Sequence, residues 1–242
     1  MNPVEILYTP LDTPELPIID VSKLKTWIDS HQSYNSKYDA GSVTPPNIFS
    51  WKVSYIKENN KWRNNFNVEF PALAEYVSSA FGLQPSDIVT GIFAYTKPEF
   101  EGMGFWHSDV DSSGLRMYIE NEETDDFLFI KPTTLPYNNF PTDRLKERES
   151  EISLMDSSFQ IQTDVIHSAK LLKPTQCFYL NSVRGVHAIK TNKKGCTRIL
   201  LALTLDLNIS AQNLPQQLKK LIVDSAQKYK DYAIMWTPPI KG

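Results

Sequence analysis

The sequence predicts a mostly β fold with flanking helices, and two patterns lead to this prediction. Between residues 88 and 207, short runs rich in β-formers alternate with turn residues, and no long helical period intervenes except a candidate at 143–151. On either side of that stretch, apolar residues recur at the spacing of an amphipathic helix. Roughly eight strands with helices packed around them are compatible with a double-sheet jelly roll.

The N-terminal quarter is expected to hold an arm, a helix, a loop and a strand. Residues 1–19 form an extended arm or edge strand, because they contain Pro3, Pro10, Pro14 and Pro17. Asp20 is a suitable N-cap for a short helix. The buried face of that helix is expected to carry Leu24, Trp27 and Ile28. Residues 31–50 are polar and predict a loop, whereas the alternation in residues 51–56 predicts a strand.

A second helix is expected between Pro71, which suits a first helical turn, and Gly82, which suits a C-terminal end. Its apolar positions are Leu73, Tyr76, Val77 and Phe81. Strands are then expected at residues 88–95, 115–120, 127–130, 159–165, 176–180, 186–190 and 197–207. After Asp206 the period becomes helical again, which predicts a C-terminal helix with Ser210 as candidate cap. That helix would bury Leu214, Leu218, Leu221, Ile222 and Ala226.

Length and composition favour a single domain, residues 1–242, with its β core at about 88–207. The net charge of −3 and the lack of a basic, aromatic-interleaved patch give no clear nucleic-acid footprint. The apolar runs are too short to cross a bilayer, and no secretory signal opens the chain. Cys177 and Cys196 have no metal or redox spacing, so a reducing, cytoplasmic setting is expected.

The chemistry-bearing residues are a His-x-Asp triplet at His107 and Asp109 and a distant histidine. In an extended segment, positions i and i+2 share a face, so both side chains could reach one metal ion. The third ligand could be His31, His167 or His187, and the β-rich surroundings favour His187. Two imidazoles and one carboxylate form the minimal set for non-haem Fe(II) with open positions.

Two further observations concern the choice of carboxylate ligand and the kind of metal site. Asp111 could replace Asp109, but it lies four positions from His107 and too far along a strand for comfortable chelation, so Asp109 is preferred. His-Glu-x-x-His and paired cysteines, which are typical of zinc sites, are both absent from the sequence.

Arg198 follows His187 by eleven residues, inside a run that is expected to be buried. A guanidinium group offers a rigid two-pronged donor set for a carboxylate, and an unpaired buried arginine would be costly. We therefore expect Arg198 to bind an acidic cosubstrate, with a strand-end salt bridge as the competing interpretation. A second arginine, Arg116, is expected either to take part in binding that cosubstrate or to form a structural ion pair with Glu120 or Asp111.

These residues carry a family resemblance. His107-Ser108-Asp109, Arg116 and the block from Tyr179-Leu180-Asn181 through His187 to Arg198-Ile199-Leu200-Leu201 resemble the 2-oxoglutarate/Fe(II)-dependent oxygenases. The segment Leu115-Arg116-Met117-Tyr118 is similar to that of the aspartyl/asparaginyl β-hydroxylase branch, which includes free-proline hydroxylases. The resemblance covers about residues 90–207 and implies a double-stranded β-helix, the cupin-like jelly roll.

The resemblance also implies a function. His107, Asp109 and His187 would bind Fe(II), Arg198 would pair with the distal carboxylate of 2-oxoglutarate, and Arg116 would assist Arg198. With O2 as oxidant, the enzyme would hydroxylate an unactivated C–H bond of an amino acid, a peptidyl residue or another small molecule. Succinate and CO2 would be the coproducts.

Three alternatives remain open: an oxygenase of the nucleic-acid dealkylase type, another cupin metalloenzyme, and a non-catalytic jelly-roll binding protein. Release of succinate that depends on 2-oxoglutarate would separate them from the leading interpretation. Residues 121–151 form a long polar connection, which could be a lid over the site or a solvated excursion.

Overall fold

The computed structural model shows a mostly β protein built from antiparallel sheets and a few helices. The residues that the structure describes are 4–30, 48–56, 61–62, 66–83, 88–96, 102–103, 114–122, 124, 127–132, 165–181, 185–191, 198–205 and 214–237. They contain four helices: α1 (Val21–Ser30), α2 (Phe66–Glu69), α3 (Pro71–Phe81) and α4 (Gln216–Lys228).

Twelve strands lie within the described residues, more than the roughly eight that the pattern suggested. Ten of them are longer than two residues, and nine of these ten precede α4: β1 (Glu5–Pro10), β2 (Ile48–Ile56), β4 (Ile88–Thr96), β6 (Leu115–Glu120), β7 (Leu128–Pro132), β8 (His167–Ala169), β9 (Gln176–Leu180), β10 (Gly185–Thr191) and β11 (Arg198–Leu205). A tenth, β12 (Ile234–Trp236), follows α4. The remaining two are β3 (Lys61–Trp62) and β5 (Gly102–Met103).

The strands form two sheets with only antiparallel pairs among them. The large sheet has the order β12-β1-β9-β6-β11-β4-β2-β3, and the small sheet has the order β5-β10-β7-β8. Neighbours in these sheets are often distant in sequence. For example, β6 pairs with both β9 and β11, so non-local pairing defines this architecture.

The helix predictions are largely confirmed. Asp20 caps α1, because its Oδ1 accepts a hydrogen bond from the Lys23 amide at 2.9 Å. Helix α3 begins at Pro71 and ends at Gly82, whose φ of 64° gives the left-handed C-cap that glycine favours. The C-terminal helix begins later than predicted, because Pro215 precedes its first residue, Gln216. Ser210, its predicted cap, lies outside the described residues.

The strand predictions need three corrections. The N-terminal arm is an interior strand rather than an edge, because β1 pairs with β12 as well as with β9. Strand β2 includes residues 48–50, which were expected to be loop, because they pair with the far end of β4. The β core therefore extends beyond 88–207 on both sides, since β1, β2, β3 and β12 all join the large sheet.

Other expectations fall outside the described residues. These are the polar residues 31–47, the candidate helix at 143–151, most of the strand expected at 159–165, and Cys196. The strand found nearby is β8, and Val165 precedes it without belonging to it. Cys177 is a buried free thiol.

The large sheet separates two apolar clusters. Its outer face, with Leu115, Met117 and Leu201, packs against α1, α3 and α4. Its inner face, with Tyr118 and Phe178, packs against buried residues of the small sheet. The second cluster therefore fills the space between the two sheets, which we call the interior. Within the ranges given above, the model contains no helix long and apolar enough to cross a bilayer.

Candidate functional site

Among the described residues, the interior also contains buried polar side chains, and four of them are candidates for a binding site. Arg116, Asn121, His187 and Arg198 expose only 4%, 5%, 2% and 2% of their surface. Arg116 and Arg198 come from the large sheet, His187 comes from the small sheet, and Asn121 follows directly after β6. Burial of such groups is expensive unless they are hydrogen-bonded, so their partners identify what this region can do.

His187 lies on β10 directly opposite Ile130 of β7, and the two side chains therefore share the inner face of the small sheet. Its Nδ1 lies 3.1 Å from the carbonyl oxygen of Gly185. Because a carbonyl oxygen only accepts, Nδ1 carries the proton in this contact. A neutral imidazole in that tautomer leaves the lone pair on Nε2, which is the usual arrangement of a metal-ligating histidine.

Arg198 is the first residue of β11, and it connects the two sheets. Its Nε donates to Oδ1 of Asn121 at 3.0 Å, and its Nη1 donates to the carbonyl oxygen of Lys190, on β10, at 2.6 Å. Both acceptors are neutral, so these contacts orient the guanidinium group without neutralising its charge. A planar guanidinium held in this way suits a carboxylate ligand.

Arg116 occupies the same inner face as Arg198, but at a different level. It pairs with Ala202 of β11, four positions along the strand from Arg198, and with Phe178 of β9. At ordinary strand geometry, four positions correspond to about 13 Å between α-carbons. Its Nη1 donates to the carbonyl oxygen of Leu115 at 2.9 Å.

His167, the alternative third ligand, lies on β8 and also pairs with Ile130, from the opposite side to His187. The two histidines are therefore two strand spacings apart, about 10 Å, on one face of the small sheet. They differ in burial, since His187 is buried and His167 is half-buried. The model thus brings both candidates to one row of the interior.

Other predicted ligands lie outside the described residues: His31, His107, Asp109 and Asp111. Among the residues that are described, no group of three His, Cys, Asp or Glu side chains could hold a metal ion. His187 is the one member of the predicted triad whose surroundings the model shows.

Four aromatic residues of the interior form a cluster with ring centroids 5.5–6.1 Å apart: Tyr8, Tyr118, Phe127 and Phe178. The Tyr8 hydroxyl donates to the Lys170 carbonyl oxygen at 2.7 Å. Burial, and then the nearby Tyr118, raise the pKa of Tyr8 well above its usual value. Tyr8 therefore stays neutral at physiological pH.

Sequence reasoning missed the groups that orient the two key side chains. Two of them are the backbone carbonyls of Gly185 and Lys190, and no sequence pattern specifies those contacts. The third is Asn121, which the sequence placed at the start of the polar connection 121–151. The first part of that connection is structural, because it includes Asn121 and β7, while residues 133–151 lie outside the described ranges.

Comparisons with known proteins add little at the level of sequence. No family model matches the chain, and no curated protein matches it. Among solved structures, the similarities are weak. AviO1 from Streptomyces viridochromogenes Tue57 is 13% identical, with 84% of this chain and 90% of that chain covered and a TM-score of 0.40.

Two further structures are similar at the same level. EvdMO1 is 12% identical over 84% of this chain and 48% of its own length, with a TM-score of 0.39. EctD from S. alaskensis in its apoform is 13% identical over 88% of this chain and 76% of its own, with a TM-score of 0.35. At such identities and TM-scores, similarity alone assigns neither a substrate nor a reaction.

Proposed function

We propose that this protein is a non-haem Fe(II)/2-oxoglutarate-dependent dioxygenase with a double-stranded β-helix core. The observation that supports this best is the pairing of His187 and Arg198. Both are buried in one interior, and carbonyl groups of the same strand, β10, orient both of them. An imidazole that could bind a metal and a guanidinium that could bind a carboxylate, on facing sheets, are two of the groups that such an enzyme would require.

The proposed metal ligands are His187, His107 and Asp109. Strand β5 supports this set, because Met103 pairs with Lys190 and β5 runs antiparallel to β10, in the direction of His187. His107 follows Met103 by four residues, a reach of at most about 14 Å, and Lys190 is about 10 Å from His187 along the strand. Covalent geometry therefore permits the His-x-Asp triplet to reach the same metal ion.

The residues that are described fit the proposed cofactors. The contact of Nδ1 with the Gly185 carbonyl oxygen places the proton of His187 on Nδ1, which is the tautomer of a histidine that binds a metal through Nε2. Bound Fe(II), with 2-oxoglutarate and O2, would supply the oxidation of a substrate C–H bond, with succinate and CO2 as coproducts. Arg198 would hold the distal carboxylate of 2-oxoglutarate, and Arg116 would assist it from the same face. The aromatic cluster would exclude water from the rest of the interior.

The substrate that we propose is an amino acid, a peptidyl residue or another small molecule. Such a ligand would bind beside the metal, and a screen of candidate compounds would identify it. A screen that follows succinate formation also separates this proposal from the cupin and binding-protein alternatives, since neither consumes 2-oxoglutarate. The dealkylase alternative would show turnover only with methylated nucleic acid.

An anaerobic titration of the whole chain with Fe(II) and 2-oxoglutarate tests the proposal. We expect a weak visible metal-to-ligand charge-transfer band in the wild type. The His187→Ala variant should lose this band, because the metal loses one of its three protein ligands. The Arg198→Ala variant should form the band only at higher 2-oxoglutarate concentration.

His167→Ala is the matched control, because His167 pairs with the same residue, Ile130, on the same face of the small sheet. Its band should equal that of the wild type. A band that survives in His187→Ala and disappears in His167→Ala would exchange the two assignments. A wild type that binds Fe(II) but shows no band with 2-oxoglutarate would refute the proposed function.

A further inference from the structure

We infer that Gly185 is a positioning residue for His187. Because it has no side chain, its carbonyl group can lie against the imidazole and hold that ring in the tautomer that binds a metal through Nε2. The inference rests on the proposed function, since it concerns the metal end of the same site. The sequence pattern assigned no role to this glycine.

Two hydrogen bonds fix the peptide groups on either side of Gly185. Its amide donates to the carbonyl oxygen of Asn181 at 2.8 Å, which ties the start of β10 to the residue that follows β9. Its own carbonyl oxygen lies 3.1 Å from Nδ1 of His187, and this contact is buried. The first hydrogen bond therefore helps to determine where the carbonyl oxygen lies relative to the imidazole.

The surroundings of Gly185 leave no room for a side chain. Gly185 lies opposite Pro132 of β7, and a Cβ atom would project on the same face of the small sheet as His187. That atom would lie 2.7 Å from Cγ2 of Ile130 and 3.1 Å from the Asn181 carbonyl oxygen. Carbon atoms in contact are normally about 3.5–4.0 Å apart, so a side chain here would require a shift of about 1 Å.

Neither neighbour can move aside easily. Ile130 is fully buried and β-branched, so its Cγ2 methyl group belongs to a stiff side chain in a packed environment. The Asn181 oxygen is a backbone atom that accepts from the Gly185 amide. The shift would therefore fall on the start of β10 itself. It would exceed the range of about 0.5 Å that N–H···O hydrogen-bond distances span, so the contact with Nδ1 would be lost.

The chemical consequence concerns the proton of His187. A backbone carbonyl oxygen only accepts, so the contact places the proton on Nδ1. Without this acceptor the neutral imidazole is no longer held in that tautomer, and the proton can move to Nε2, the nitrogen that would bind the metal. Loss of such an orienting hydrogen bond typically lowers metal affinity by about 10- to 100-fold.

Gly185→Ala adds one methyl group and is the decisive variant. We expect the metal-free variant to lose the wild-type preference for a proton on Nδ1, and to bind Fe(II) about 10- to 100-fold more weakly. Nitrogen-15 NMR at pH 8 reports the tautomer, because protonated and unprotonated ring nitrogens differ widely in chemical shift. The chain has four histidines, so a His187→Ala spectrum identifies the signals of His187. Anaerobic calorimetry with Fe(II) alone measures the affinity without turnover.

Gly82→Ala is the control for a general loss of stability. It also adds a methyl group at a close approach, where the new atom meets the side chain of Gln217. Gly82 ends α3, which packs on the outer face of the large sheet. This variant should be less stable than the wild type, yet keep the wild-type tautomer and Fe(II) affinity.

Ile130→Ala tests the contact itself, because it removes the methyl group that a Cβ on Gly185 would meet. In an Ile130→Ala background, the further change Gly185→Ala should therefore weaken Fe(II) binding by less than about threefold. The comparison of these two chains also decides the matter if Gly185→Ala by itself does not fold.

Four results would overturn the inference and leave the proposed function intact. The first is a metal-free wild type in which His187 carries its proton on Nε2. The second is an unchanged tautomer and Fe(II) affinity in Gly185→Ala. The third is an equal loss of affinity in Gly82→Ala, and the fourth is an undiminished effect of Gly185→Ala in the Ile130→Ala background. A wild type that binds no Fe(II) would overturn both the inference and the proposed function.

Discussion

The two faces of the large sheet are built from alternating residues of the same strands, yet they differ in chemistry. Along β6, Leu115 and Met117 enter the outer cluster, while Arg116 and Tyr118 face the interior. The outer face is apolar and is covered by three helices. The inner face combines an aromatic cluster with two buried arginines.

Under the proposed function, this difference separates residues that stabilise the fold from residues that would bind a ligand. Apolar burial lowers the free energy of the folded state, and this burial is the main contribution of the outer face. Buried cations and amides cost desolvation energy, so their concentration on one face points to a ligand that this face binds. Substitutions on the outer face should therefore change stability, and substitutions at the inner polar residues should change binding.

A substitution on the side of the outer face should produce the largest change, which is in the free energy of unfolding. Phe81 of α3 is fully buried and packs edge-on against Tyr76, with ring centroids 6.3 Å apart. Phe81→Ala should lower the free energy of unfolding by about 3–5 kcal/mol, through lost burial and a residual cavity. Urea unfolding monitored by circular dichroism would measure this. Val223→Ala, on an exposed position of α4, should change it by less than about 0.5 kcal/mol.

A substitution on the inner face should produce a smaller change, which is in the affinity for 2-oxoglutarate. Arg198→Ala should weaken 2-oxoglutarate binding by about 1.5–3 kcal/mol, or 10- to 100-fold, as expected for loss of a charged hydrogen-bonded pair. Arg198→Lys should recover only part of the affinity, because an ammonium group cannot make the two-pronged contact. Cosubstrate affinity that is unchanged in Arg198→Ala would contradict the division between the two faces.

Two glycines beside secondary-structure elements differ in what an added Cβ atom would contact. Gly82 (φ 64°) ends α3, where an added Cβ would meet the flexible side chain of Gln217. Gly114 (φ 82°) precedes β6, where an added Cβ would meet the backbone carbonyl of Leu180. Gly82→Ala should cost about 1 kcal/mol of unfolding free energy, and Gly114→Ala should cost more, because backbone cannot move aside as a side chain can. Equal costs in urea unfolding would show that the carbonyl contact is unimportant.

The smallest effect concerns Cys177 on the outer face. Burial is the main reason that the pKa of this thiol rises from 9.0 to about 11, although Tyr76 and Thr13 act in the opposite direction. At pH 8 the thiol should therefore react with iodoacetamide only after unfolding. A Cys196→Ser background isolates the signal in mass spectrometry, and rapid labelling of the native chain would contradict this expectation.

The same pKa shift has a consequence for stability. Because the folded-state pKa is raised, the contribution of Cys177 is fully present below pH 9 and declines as pH rises from 9.0 toward about 11. In Cys177→Ser, the free energy of unfolding should therefore fall less steeply as pH rises from 9.0 toward about 11, and its pH dependence near neutral pH should not change.

Local signals in the sequence were sufficient for three of the four described helices and for most central strands, but not for the short helix α2 (Phe66–Glu69). Asp20, Pro71 and Gly82 mark helix ends through backbone chemistry that acts within a few residues, and each lies where that chemistry requires. The candidate site was predictable in part, because His187 and Arg198 belong to a recognisable pattern of residue types and spacing. Asn121 was not predictable, because its contact with Arg198 spans 77 positions.

The class of fold, the ends of α1 and α3 and the residue types available for chemistry could therefore be predicted from the sequence alone. These properties follow from local periodicity, caps and turn residues. Three features are visible only in the three-dimensional structure. The N-terminal arm lies between β9 and β12, and His167 and His187 share a row with Ile130. Asn121 accepts a hydrogen bond from Arg198. Such contacts are free-energy choices among many possible strand pairings, and no residue carries a local signal for its distant partner.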